Sequence, residues 1–234
     1  LVLTANIAAN QDRLARIAPR IEGRLIKVNA NLGDRVKAGH ALAVIDSIQM
    51  GEARAEYKRA HSELKLSESA FQRADRLLKE QVVPQRQWLE AKSIYERAKA
   101  SADAAAERLR LLGGAPGGSE SSFTVNAPFA GVVIEKKAVL GDLAQTENSL
   151  FTVADLSNVW IEADVTEQDL GKLAAGMPAT VTVAAYPNEV FKGTVSYIAS
   201  TFDRQTRTVK ARIELPNPDG RLRIDMFARA AIDL

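Results

Sequence analysis

The 234-residue chain has no cysteine. Disulfides and thiolate metal sites are therefore excluded, and the absence fits the periplasm and the cytoplasm equally. Histidine is nearly as scarce: His40 sits in a glycine turn and His61 in a helical stretch, with no second histidine near either. A zinc site would need carboxylates to complete it. There is no H-E-x-x-H, no G-x-S-x-G and no Walker-type glycine loop, so an enzyme is not expected. Met50, Met177 and Met226 are scattered, where a soft-metal site would need them clustered. Met50 and Met226 fall at core positions, the ordinary role of methionine. An excess of one charge is also lacking: 31 basic residues face 29 acidic ones, which leaves no footprint for nucleic acid. No apolar run approaches the ~20 residues that span a bilayer. The opening Leu1-Val2-Leu3-Thr4 is no signal peptide, so any export signal or anchor is expected outside this stretch.

What is present is organised around residues 48–112. Large apolar residues recur every seventh position at Met50, Tyr57, Leu64, Phe71 and Leu78, with Ala53, Ala60, Ser67 and Ala74 between them. A second arm repeats the scheme with Trp88, Tyr95, Ala102 and Leu109, and with Ala91, Ala98, Ala105 and Leu112. A sustained seven-residue repeat gives a narrow seam and a left-handed coiled coil. Between the arms, Pro84 cannot continue a helix and disfavours helical geometry at Val83, while Gly113-Gly114 stops the second arm. The expectation is an antiparallel hairpin about 50 Å long, projecting from its domain with function at its tip. Leu78 lies on the seam and packs the hairpin; Leu77 lies off it and is free for a partner.

The flanking text is an internal repeat. Gly23 and Gly131, Gly33 and Gly141, and Leu42 and Leu150 are each separated by 108 residues, and Ala127-Pro128 echoes Ala18-Pro19. Neither copy of about thirty residues can form a core alone, so the halves are expected to pair into one β-domain with the hairpin inserted between them. Gly23, Gly33, Gly131 and Gly141 are its structural turns. A flexible linker is expected at Gly113–Ser119.

From Asp155 onward strands dominate. Val159, Ile161, Ala163 and Val165 alternate with polar or outward residues, as do Val209, Ala211, Ile213 and Leu215, and Met226, Ala228, Ala230 and Ile232. Thr166, Asp169, Leu170, Leu173 and Gly176 read as one capped helix ending at the glycine. Asn217-Pro218-Asp219-Gly220 reads as a turn between strands. Leu1 to Ile17 reads as two short strands. The fold class is mixed α and β, elongated and multidomain. The β-barrel takes residues 1–16 and 156–234, the split unit 17–47 and 122–155, and the hairpin with its linker 48–121.

Together the split repeat, inserted hairpin and following barrel resemble the periplasmic adaptor, or membrane fusion, proteins of tripartite efflux pumps. The resemblance is carried by Ala127-Pro128-Phe129-Ala130-Gly131-Val132-Val133, Ala154-Asp155-Leu156-Ser157-Asn158-Val159-Trp160 and Thr206-Arg207-Thr208. The ending Leu222-Arg223-Ile224-Asp225-Met226-Phe227-Ala228 is similar to the family's barrel close, with Ile224-Asp225 where a Pro-Gly pair is common. Asp46-Ser47, Gly51-Glu52-Ala53, Glu56-Tyr57 and Ala185-Tyr186-Pro187 resemble the heavy-metal cation branch.

The resemblance implies a lipoyl-like (biotinyl-like) split domain and a membrane-proximal domain that is largely missing from this stretch. It implies an inner-membrane transporter of the RND type and an outer-membrane channel as partners, and self-association into a ring, hexameric in the assembled pump. It places the protein in the periplasm, held at the inner membrane by segments outside this chain. It also implies a channel contact at the tip through Arg73 and Leu77, with Pro84 where the family's pattern has a serine, and with Glu80, Gln81, Val82 and Val83 beside them. No cofactor is expected beyond a transported or transiently bound metal ion, for which no ligand residue is carried over. The alternatives are an adaptor of a multidrug or ATP-driven exporter, or a biotin or lipoate carrier with Gln49 near the position where the carrier lysine would stand.

Overall fold

The computed structural model describes residues 1–115 and 121–233. It is a mixed α/β chain with a closed six-stranded barrel, two long helices and two small four-stranded sheets. The glycine-rich linker expected at 113–119 lies outside the described residues from 116 onward.

The chain opens with β1 (Val2–Ala9) and β2 (Leu14–Ile17), joined by a 3-10 turn at Gln11–Arg13. β3 (Gly23–Val28), β4 (Arg35–Val36) and β5 (Ala41–Asp46) follow. Two helices come next, α1 (Ile48–Lys79) and α2 (Gln85–Leu111). After them run β6 (Ser122–Asn126), β7 (Gly131–Lys136), β8 (Leu143–Ala144) and β9 (Phe151–Ala154). One sheet has the order β2-β9-β7-β4 and the other β6-β5-β3-β8. The 108-residue offset relates β2 to β6, β3 to β7, β4 to β8 and the end of β5 to β9. Each sheet thus takes two strands from each copy, and neither copy closes without the other.

Backbone bonds repeat the relation. The Gly33 N–H donates to the Val133 carbonyl at 2.8 Å and the Gly141 N–H to the Leu25 carbonyl at 2.8 Å. Leu25, Leu42, Ile45, Val133, Phe151 and Val153 fill the space between the sheets. The four glycines divide into two pairs. Gly33 and Gly141 have φ of 87° and 92°, which a residue with a Cβ rarely adopts. Gly23 and Gly131 instead open β3 and β7, where a Cβ would press on the carbonyls of Asp46 and Ala154. β2 starts at Leu14 and pairs with β9, so the boundary expected between 16 and 17 falls inside a strand.

The barrel comprises β1, β10 (Asn158–Thr166), β11 (Pro178–Val183), β12 (Phe191–Ile198), β13 (Thr208–Pro216) and β14 (Phe227–Ile232). Its order is β1-β10-β13-β12-β11-β14, closed by pairing of β14 with β1. Val159, Ile161, Ala163, Val165, Ala211, Ile213 and Ala230 point into its core, as their alternation requires. Trp160 points outward yet is 2% exposed, because the Arg212 guanidinium lies 3.5 Å from its ring centroid.

Two local expectations change. The helix expected from Thr166 to Gly176 is a single turn, α3 (Glu167–Leu170). Thr166 donates its hydroxyl hydrogen to the Asp169 carboxylate at 2.9 Å, and the chain turns again before Gly176 at φ 93°. Asp225 has φ 67° while its N–H donates to the Ile7 carbonyl at 2.8 Å. That left-handed geometry is where a glycine would sit freely, and Asp is among the few other residues that adopt it routinely.

Candidate functional site: the end and root of the helix pair

With 32 residues, α1 is about 48 Å long at 1.5 Å per residue. Arg108 of α2 forms an ion pair with Glu56 at 2.7 Å, while Phe71 stacks on Tyr95 at 5.4 Å and 7°. Near the far end, Trp88 Nε1 donates to Asp75 at 3.1 Å. These pairs fix the two helices antiparallel. Every expected seam residue is buried or half-buried, because a seven-residue stripe can cover one partner helix and no more. Asp75 also accepts from Lys79 at 2.8 Å. Lys79 first and Trp88 second hold the Asp75 carboxyl below its ordinary value. Arg76 and Glu80 form no ion pair.

The far end is a closed cap. The Gln81 N–H donates to the Leu78 carbonyl and the Val82 N–H to the Leu77 carbonyl, both at 2.9 Å, with Gln81 at φ 61°. This is a Schellman motif, which satisfies two carbonyls that the helix end would leave bare. Pro84 then precedes α2 with φ −71° and ψ 151°, its carbonyl accepting the Gln87 N–H at 3.0 Å. The structure gathers Leu77 and Glu80 to Pro84 in this cap, with Arg73 one helical turn behind Leu77. Val82 is 64% exposed and Leu77, Leu78 and Val83 are half-buried. The motif pairs the side chains of residues 77 and 82, so Leu77 has a structural duty as well as an exposed edge. Sequence reasoning missed Leu89, which is 52% exposed in the first turns of α2; its signal was an apolar residue off the seam.

The other end closes in the same way with a different residue. Gly113 at φ 83° donates to the Arg110 carbonyl and Gly114 to the Leu109 carbonyl, both at 2.9 Å. Ile21, Met50, Ala53 and Leu109 form a buried cluster here, with Tyr57, Leu112 and Phe123 against it. Ile21 and Phe123 belong to the segments around the small sheets, so the root is packed onto them. Arg54 Nη1 reaches the Ala115 carbonyl at 3.3 Å, and the Ser47 N–H donates to the Ser121 carbonyl at 3.0 Å. The Ser121 hydroxyl bonds the Asp46 carboxylate.

His61 stacks on Tyr57 at 5.5 Å and His40 is exposed in its turn. Among the described residues, no three histidine, aspartate or glutamate side chains gather where they could hold a metal ion. Gln49 is exposed in the first turn of α1, and no lysine lies between 47 and 53. No helix among the described residues is long and apolar enough to cross a membrane.

Comparison with known proteins follows this architecture. Residues 13–155 match the family described as CzcB-like, barrel-sandwich hybrid domain, and residues 158–233 the CusB-like, beta-barrel domain. The chain is 33% identical over 222 residues to the cation efflux system protein CzcB of Alcaligenes sp. (strain CT14), covering 94% of this chain and 42% of that protein. It is 31% identical over 184 residues to the nickel-cobalt-cadmium resistance protein NccB of Alcaligenes xylosoxydans xylosoxydans, covering 79% and 46%. The crystal structure of ZneB from Cupriavidus metallidurans superposes with a TM-score of 0.71 at 36% identity, covering 98% of this chain and 96% of that one. The chain thus spans less than half the length of these two curated relatives.

Proposed function

The chain belongs to the CzcB-like and CusB-like membrane fusion proteins, and from this premise we propose that it is the periplasmic adaptor of a heavy-metal cation efflux pump. The adaptor joins an inner-membrane, proton-driven transporter of the RND type to an outer-membrane channel. It carries out no chemistry. The paired small sheets act as its lipoyl-like unit, split between residues 17–47 and 122–155. The helix pair, at 48–121 with its linker, is a left-handed antiparallel coiled coil, and residues 1–16 and 156–234 supply the barrel unit. Subunits associate into a ring, six in the assembled pump, anchored at the inner membrane through segments outside this chain. The cargo passes as substrate, with no resident cofactor.

The observation that carries this reading is the closed cap. A helix pair about 48 Å long ends in a backbone-satisfied turn that holds Val82 64% exposed. With Leu89, 52% exposed in the first turns of α2, Val82 offers apolar surface on a projecting end that a partner can cover. Arg73, Leu77, Glu80, Gln81, Val82, Val83 and Pro84 form the proposed channel contact. The metal assignment is supported by the named functions of the relatives above.

A growth panel tests both parts. A strain lacking the full-length gene is complemented with wild type, Leu77→Asp or Val82→Asp and challenged with zinc, cobalt, cadmium, nickel, copper and silver beside dyes and antibiotics. Wild type should restore resistance to a set of metals, and both variants should fail at unchanged protein level. Resistance to drugs alone would replace the metal reading with a multidrug or ATP-driven exporter. Full resistance with Val82→Asp would remove the tip contact.

A further inference from the structure

The outer wall of the barrel carries a groove of about 800 Å³ along β1, β14 and β11, bounded on one side by Ala184 and Pro187 of the loop that leaves β11. Arg229 of β14 stands in it between Thr4 of β1 and Thr182 of β11, its register partners on either side. Phe227, two residues earlier on the same face of β14, lies beside Asn6 and is 80% exposed. The loop wall is fixed by contacts of its own. The Tyr186 N–H donates to the Val183 carbonyl and the Glu189 N–H to the Tyr186 carbonyl, both at 3.1 Å. Arg221 pairs with Glu189 at 2.8 Å, and its guanidinium lies 5.3 Å from the Tyr186 ring centroid and 5.8 Å from that of Phe191. The groove is therefore formed before anything enters it.

Its free charge is of one sign. Asp164, the acidic residue of the groove, is already held by Lys210 at 2.8 Å and accepts the Thr208 hydroxyl at 3.3 Å. Arg229 makes no hydrogen bond, ion pair or ring contact with any other described residue. Its register partners offer hydroxyls and no carboxylate. A guanidinium left unpaired presents a planar fork of donors that matches a carboxylate. The openness of the groove decides what carries that carboxylate. A small-molecule site buries most of its ligand, which a groove leaving Phe227 80% exposed does not do. Exposed aromatic and arginine side chains together are instead the anchors enriched at protein contacts. The barrel is closed, so it offers no strand edge to pair with, and recognition has to run through side chains.

We propose that this groove docks an extended segment of another protein, with an acidic side chain on Arg229 and an apolar neighbour against Phe227. The site lies on the barrel, apart from the cap of the helix pair, and stands whether or not the transport reading does.

Nuclear magnetic resonance of the whole chain tests it, through the arginine Nε–H signals and the backbone amides. The probe is the end-capped peptide Gly-Leu-Glu-Leu-Gly, compared with the same peptide carrying glutamine for glutamate. The glutamate peptide should move the Arg229 Nε–H signal and the amides of Thr4, Thr182 and Phe227. It should bind about two- to five-fold more tightly than the glutamine peptide, and that preference should shrink as salt is raised. Arg229→Gln should abolish the preference, and Phe227→Ser should weaken both peptides alike. Arg204→Gln, in the loop before β13, should change neither. All three positions are exposed, so the variants should fold. Equal binding of the two peptides, the same preference in Arg229→Gln, or no signal change confined to the groove overturns the proposal. Tighter binding of dodecanoate than of the glutamate peptide would give the groove to a free amphiphile. Shifts at Arg229 and Phe227 that grow with protein concentration alone would give it to a second copy of this chain. Either result overturns the proposal as well.

Discussion

The two ends of the helix pair are closed by one hydrogen-bond motif built on different residues, which makes Gln81→Gly and Gly113→Ala a matched experiment. Left-handed backbone geometry costs a residue with a Cβ about 1–2 kcal/mol. Glycine at 81 removes that cost and returns roughly 0.4–1 kcal/mol through the greater freedom of the unfolded chain. The net expectation is a gain of about 0.5–1 kcal/mol. At Gly113 the signs reverse. Alanine there takes on the conformational cost, and its Cβ would stand 2.6 Å from Cε2 of Phe123. Overpacking of this kind adds about 1–3 kcal/mol, so with the net backbone cost the loss should reach about 1.5–4 kcal/mol. Because the chain has three separate hydrophobic clusters and need not unfold in one step, the readout should be local. Amide exchange at Val82 should slow about two- to five-fold in Gln81→Gly, with Gln81→Ala near the reference. Unchanged or faster exchange at Val82 in Gln81→Gly would refute the reasoning, since the cap would then impose no strain.

The remaining predictions follow from other positions. Gly131→Ala places its Cβ 2.6 Å from the Ala154 carbonyl oxygen and should cost about 1–3 kcal/mol in urea titrations. Gly33→Ala meets nothing within 4 Å and should cost only the net backbone term, about 0.5–1 kcal/mol. The folded-state pKa of Asp75 lies below its ordinary 3.8, so its contribution is complete above that value and is lost as the pH falls through the folded-state pKa. Trp88 fluorescence should report loosening of the far end in acid, and Asp75→Asn should remove the pH dependence along with part of the stability. On the proposed function, tip variants are expected to abolish metal resistance in the growth panel without changing the amount of protein.

Much of this architecture could be read from residue order. The seam residues from Met50 to Leu112 were legible because one partner helix imposes a seven-residue period, and the barrel core from Val159 to Ile232 because strands alternate strictly. The 108-residue offset exposed the paired sheets through Gly33 and Gly141, whose backbone angles demand glycine. It stopped at Ile17 because β2 and β6 share no residue type that the fold forces on both. What escaped were contacts without periodicity. Asn217 reads as a turn residue, and nothing local reveals that its buried amide donates to the Leu156 carbonyl at 3.0 Å. Trp160 lies on the outer wall, as the alternation along β10 requires, but is buried there by Arg212 from another strand. The tip residues were gathered by the Pro84 break, whereas the left-handed Gln81 was hidden because glutamine is not the residue a Schellman cap advertises.

The interleaving of the two copies also bears on how this molecule can change. β5 and β6 are paired neighbours, with Asp46 opposite Ser122, and the helix pair with its return segment is everything between them. In topological terms the helices are an enlarged turn of a β-hairpin. Both ends of that turn are held within one sheet, and no strand depends on how far the helices extend. Adding one seven-residue period to each arm would preserve the seam and move the cap outward by about 10 Å, leaving the root cluster and the barrel untouched. Reach can therefore be adjusted in whole periods without refolding the body, as a ruler is lengthened without redesigning its handle.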